Sequence, residues 1–123
     1  MVWNALRSHP VVLGADPERP LHPLHVDDLT DALGLVLGAP PAARVLTLAD
    51  PEPCTAAGLA EAVRRAVRPV PVETDGAATT APARAQFRPD ARLPGWSPAT
   101  DLGRGLHSFA QWLAYEGIRL MPD

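Results

Sequence analysis

Fifteen prolines, spread through a chain of 123 residues together with nine glycines, limit what this sequence can fold into more than any other feature. Proline has no amide donor and collides with the preceding helical turn, so neither a long helix nor a central strand runs through it. The spacing is too irregular for a collagen-like repeat and too dense for a helical bundle. Short elements joined by turns are what remains.

Between the prolines the hydrophobic pattern predicts those elements. Val2, Trp3 and Leu6 mark a helix over residues 1–8 that ends at His9-Pro10. Val11-Val12-Leu13 reads as a strand closed by Gly14, and Asp16 to Pro20 as a turn. Leu21 to Val26 is a second extended run, which Pro23 confines to an edge or a bulge. At Asp27-Asp28 the pattern becomes helical, with Leu29, Leu33, Val36 and Leu37 on one face and a stop at Gly38 before Pro40-Pro41. Arg44 to Leu48 shows little polar alternation, which predicts a strand covered on both faces. Thr55 caps a third helix along Leu59, Val63, Ala66 and Val67, with Arg64, Arg65 and Arg68 toward its negative end. Val70 to Thr74 predicts another short strand, and residues 75–85, rich in Ala, Thr, Gly and Pro, a mobile loop. A tight apolar turn, Leu93 to Pro98, leads into a last helix. That helix begins at Thr100 or Asp101, carries Leu102, Leu106, Phe109 and Leu113 on one face, and closes at Gly117. Strands alternating with helices, without an internal repeat, predict a single α/β unit over 1–123.

Composition excludes several functions. A net charge of −3, with no basic run longer than Arg64-Arg65, gives no footprint for nucleic acid. No apolar stretch reaches the roughly 20 residues of a membrane helix, and the N-terminus has no signal-like pattern, so the expected location is cytoplasmic with no membrane partner. Cys54 is the only cysteine, which rules out an intrachain disulfide or a multi-cysteine metal site and predicts a small core residue. All 11 basic residues other than histidine are arginine, and Tyr115 is the only tyrosine.

The chemistry-bearing residues favour structural readings one by one. Serine occurs at positions 8, 97 and 108, outside any nucleophile turn, which argues against a hydrolase triad. His22 and His25, three apart on an extended segment, point to opposite faces and do not make a zinc pair. Asp27-Asp28 stand where a helix cap is needed, and capping outweighs paired-carboxylate chemistry. Gly103 and Gly105 fall in the opening turns of the last helix, where they permit close packing instead of cradling a phosphate. Trp96 is either a stacking platform or, more commonly for an apolar turn, a packing anchor. Arg19, Arg84, Arg88 and Arg92 have the fork geometry for a phosphorylated ligand, with solvated surface as the simpler reading of each.

The order of several fragments resembles a known family. These are Leu24-His25-Val26-Asp27-Asp28-Leu29 opening a helix, Val45-Leu46-Thr47-Leu48-Ala49-Asp50-Pro51, Thr55 to Val63, Pro94-Gly95-Trp96-Ser97-Pro98, and Asp101-Leu102-Gly103-Arg104-Gly105-Leu106 followed by Trp112. Together they resemble the C-terminal portion of an extended short-chain dehydrogenase/reductase of the NAD-dependent epimerase/dehydratase type. The resemblance implies a small substrate-binding lobe plus one strand, Val45 to Leu48, of a Rossmann sheet whose remainder is absent here. It implies NAD or NADP as the cofactor of a complete enzyme, held by a GxxGxxG turn, with a YxxxK pair for proton transfer. Neither motif occurs in these residues. With no lysine in the chain, no catalytic or cofactor-binding residue is assigned to it, and it is expected to bind no cofactor and to be inactive alone.

The same resemblance suggests Arg19, His25 and Arg88 as substrate-binding residues. Arg19 stands two positions earlier than the arginine of the sugar-nucleotide pattern, so a small carbonyl substrate is as consistent as a nucleotide sugar. No metal ligand is assigned. The expectation is a C-terminal piece acting on a small-molecule substrate only alongside a Rossmann domain. Two alternatives stand beside it: one subunit of a split dehydrogenase, and a non-catalytic interaction module. A chain of this length buries only about two-thirds of its unfolded surface, and a bare strand at Val45 to Leu48 favours self-association.

Overall fold

A computed structural model of the chain describes residues 1–43, 45–76 and 91–116. Among the described residues there are four helices and four short strands, as the prolines require. They are α1 (Val2–Leu6), β1 (Val11–Leu13), β2 (Pro20–Leu21), α2 (Val26–Gly38), β3 (Cys54–Thr55), α3 (Ala56–Ala66), β4 (Val72–Thr74) and α4 (Leu102–Tyr115). β1 and β4 pair in parallel, Val11 opposite Val72 and Leu13 opposite Thr74, and β2 pairs antiparallel with β3.

The core lies where α1, α3 and α4 meet the inner face of β1. Val2, Ala5, Val11, Leu13, Ala60, Val63, Val70 and Ala110 form one buried cluster, with Leu6, Val67 and Leu106 packed on its margin. Ala5 and Ala60 are fully buried and Ala110 nearly so, because small side chains let three helices approach closely around a two-stranded sheet. The pairing parity of β1 follows from its pleat: Val11 and Leu13 turn inward and Val12 stays 47% exposed.

Local signals account for most boundaries. Thr55 caps α3, its hydroxyl accepting from the Gly58 amide at 2.9 Å, and Glu61 pairs with Arg64 one turn later. Asp101 caps α4 by accepting from the Arg104 amide at 3.0 Å. The α4 face that meets the core differs from the expected one: Gly105, Ala110 and Leu113 are buried, whereas Phe109 is 44% exposed. The helix ends at Tyr115, and the expected stop at Gly117 lies outside the described residues.

Three expectations are corrected or narrowed. The extended run from Leu21 to Val26 shrinks to the pair Pro20–Leu21, since Pro23 cannot donate to a ladder and Val26 already belongs to α2. The cap of α2 is His25, whose Nδ1 accepts from the Asp27 amide at 3.2 Å, and not the Asp27-Asp28 pair. Along Val45 to Leu48 the described pairing is one parallel bridge, Thr47 to Arg92, with the Thr47 amide 2.7 Å from the Ala91 carbonyl. Asp75 is fastened to the end of β1 through its amide and the Leu13 carbonyl, 2.8 Å, while residues 77–85 of the expected mobile loop lie outside the described residues.

Candidate functional site

The start of α2 and the exposed side of α4 form the two walls of a cleft of about 750 Å³. Pro23, Leu24 and His25 line one wall; Leu106, Phe109 and Trp112 line the other. A pre-formed, mostly apolar concavity with a few polar groups is the usual setting for a small ligand. Phe109 and Trp112, three residues apart on α4, stack with ring centres 6.0 Å apart and planes 16° off parallel. Both rings stay about half exposed, so they offer a flat aromatic surface to the cleft.

Two contacts hold the walls together. The first is a close approach at Gly105, where an added Cβ would stand 3.1 Å from Cδ2 of His25. A methyl group here would sit tightly against the imidazole that caps α2, and the ring would have to give by a few tenths of an ångström. The second is the carboxylate of Asp28, only 3% exposed, which accepts from the amides of Ala99 at 3.0 Å and Thr100 at 3.1 Å. Burial by itself would raise the pKa of Asp28. The bonds from Ala99 and Thr100, together with nearby His25, outweigh burial and hold the carboxyl below its ordinary value. A buried charge is tolerable only with such donors.

The polar rim of the cleft consists of Asp27, Asp50, Thr100, Asp101 and Ser108 beside His25. His22 does not line the cleft; its Nδ1 stands 2.9 Å from the carbonyl oxygen of Asp50, a residue of the rim. Among the described residues no three His, Cys, Asp or Glu side chains come together as a metal site. Cys54 is half-buried in β3, and burial pushes its thiol pKa up, away from nucleophilic reactivity. A second, more open concavity between α3 and α4 carries Arg65, Arg104 and His107. Arg65 there lies 3.7 Å from Glu61.

Of the three residues the resemblance singled out, His25 lines the cleft. Arg19 is half-buried in the turn before β2, its carbonyl accepting from the Ala56 amide at 3.1 Å, and does not line the cleft. Arg88 lies outside the described residues. Phe109 and Asp28 entered the sequence reading only as a helix-face residue and a cap. The i, i+3 spacing of Phe109 and Trp112 signals that they are neighbours on a helix, but not that the surface they share is open. Both glycines of α4 lie at close approaches: Gly105 faces the His25 ring, and a Cβ on Gly103 would stand 3.4 Å from an oxygen of its own cap, Asp101.

Neither a protein-family model nor a curated protein matches the sequence. Solved structures do match the fold. The chain superposes on dTDP-glucose 4,6-dehydratase from Bacillus anthracis in complex with NAD with a TM-score of 0.66, at 21% identity, over 95% of its own length and 38% of that chain. UDP-glucuronic acid 4-epimerase from Bacillus cereus in complex with NAD gives 0.64 at 14% identity, over 92% and 37%. UDP-glucose 4-epimerase from Thermotoga maritima with UDP-glucose gives 0.63 at 17% identity, again over 92% and 37%. No helix among the described residues is long and apolar enough to cross a membrane.

Proposed function

We propose that this chain, whose fold is that of a portion of extended short-chain dehydrogenase/reductases, forms the C-terminal, substrate-binding part of an NAD(P)-dependent epimerase, dehydratase or reductase. The observation that carries the reading is the asymmetry of the match: 95% of this chain is accounted for by 38% of the dehydratase chain. In this reading the glycine turn and the YxxxK pair come from a second polypeptide segment, because 123 residues without lysine cannot contain the pair. The cleft between α2 and α4 is the face turned toward the substrate. His25 lines it, Phe109 and Trp112 supply a surface on which a sugar or ring stacks, and the apolar lining excludes water. NAD or NADP, bound to the other segment, would supply hydride exchange.

The test is complementation. The chain is co-expressed with a Rossmann segment that carries GxxGxxG and YxxxK, sought in the coding sequence adjoining its own, and turnover of dTDP-glucose, UDP-glucose and simple carbonyl substrates is followed with NAD and with NADP. Activity that requires both segments is the expected result. If the pair associates without turnover on any of them, the chain is a non-catalytic interaction module.

A further inference from the structure

The cleft has one feature that its apolar lining does not explain: a carboxylate placed behind its wall and almost completely buried. Asp28 belongs to the first turn of α2, and Ala99 and Thr100 directly precede the cap of α4, 71 and 72 residues along the chain. Nothing local demands an aspartate there, since His25 already caps α2 and Asp101 already caps α4. Removing such a group from water is costly, and the two amides at 3.0 and 3.1 Å are what it gains in return. Those same amides sit immediately before the residues of α4 that line the cleft, and the Thr100 methyl group is 3.5 Å from where a Gly105 Cβ would stand.

We infer that Asp28 is the positioning residue of the cleft: its carboxylate fastens the approach to α4 onto the first turn of α2, and so sets the distance between the His25 wall and the Phe109–Trp112 wall. The two wall contacts are therefore coupled. Loosening the carboxylate lets Gly105 move away from the His25 ring, and thickening residue 105 strains the bonds to Asp28. Asparagine in place of Asp28 keeps the volume but turns one acceptor into a donor facing an amide, so at least one of the two bonds is lost. This inference rests on the cleft as the substrate face, but concerns its shape; it is read without any ligand, so its failure would leave the functional reading standing, and the reverse.

The experiment is solution NMR on the whole chain. In the wild-type protein a cross-relaxation peak should connect the His25 Cδ2 proton with the Gly105 Cα protons, because a Cβ at Gly105 would stand 3.1 Å from that ring carbon. In folded Asp28→Asn this peak should fall by at least half, and the Ala99 and Thr100 amide protons should move upfield. The peak reports distance within folded molecules, so a general loss of stability does not reduce it. Gly105→Ala tests the coupling from the other wall with the carboxylate intact, and serves alone if Asp28→Asn does not fold. Its Ala99 and Thr100 amide protons should shift in the same upfield direction. An unchanged His25–Gly105 peak in Asp28→Asn, or unchanged Ala99 and Thr100 amides in Gly105→Ala, overturns the inference.

Discussion

Helices α2 and α3 are close in length, and the more hydrophobic of the two is the one left largely in solvent. α3 carries Glu61, Arg64 and Arg65 yet buries Ala60 and Val63 completely against β1 and α4. α2 is rich in leucine, but its buried residues are Ala32 and Asp28, while Leu29, Leu33 and Leu37 are 36, 49 and 83% exposed. Apolar periodicity therefore reports that a helix has a partner face, not that the partner lies within the same 123 residues. The face of α2 is where the proposed second segment would rest, since a contiguous apolar stripe of this kind marks an interaction surface.

That contrast can be broken experimentally. Val63→Asp should have the largest effect: an unpaired carboxylate at a fully buried position of α3 should cost more than about 4 kcal/mol and abolish a cooperative urea transition followed by circular dichroism. Asp28→Ala comes next, at about 1–3 kcal/mol, because two buried amides lose their acceptor. Its pH dependence sharpens the assignment. The folded-state pKa of Asp28 lies below the ordinary value of 3.8, so its contribution is fully present above that pH and disappears as pH falls through the folded value. Urea midpoints measured downward from about pH 5 should thus drop further for the wild type than for Asp28→Ala. Leu33→Lys on the exposed face of α2 should be the smallest, within about 0.5 kcal/mol in the same urea experiment. In the complementation experiment it should instead weaken association with the second segment. A Leu33→Lys cost approaching that of Val63→Asp would show that α2 is part of the core after all.

Much of this architecture was legible from local chemistry. Thr55 and Asp101 announce their helices because a cap bonds to an amide three residues away, and Gly38 before Pro40-Pro41 ends α2 for equally local reasons. Val11 to Leu13 reads as a strand because its pleat is written in three residues. Asp28 could not be read this way. It looks like a cap, and the next residue but two before it takes that role, while its own partners arrive from 71 residues away. The α4 face was likewise ambiguous, because Leu106, Phe109 and Leu113 are all apolar and only the position of α3 decides which of them is covered. Among the described residues His25 is the one proposed binding residue at the cleft, although it is marked by a family-like string and not by any property of an isolated histidine.

What the sequence determined alone is the four helices, the strand at Val11 to Leu13, the caps at Thr55 and Asp101, and the exclusion of a YxxxK pair, since each depends on residue identity or on contacts within one or two turns. The tertiary structure decided which apolar faces are buried, which carboxylate becomes a tether, and that two stacked aromatics border a cleft. Those outcomes depend on distances between segments far apart in the chain, and the free energy of burying a side chain is set by what stands opposite it.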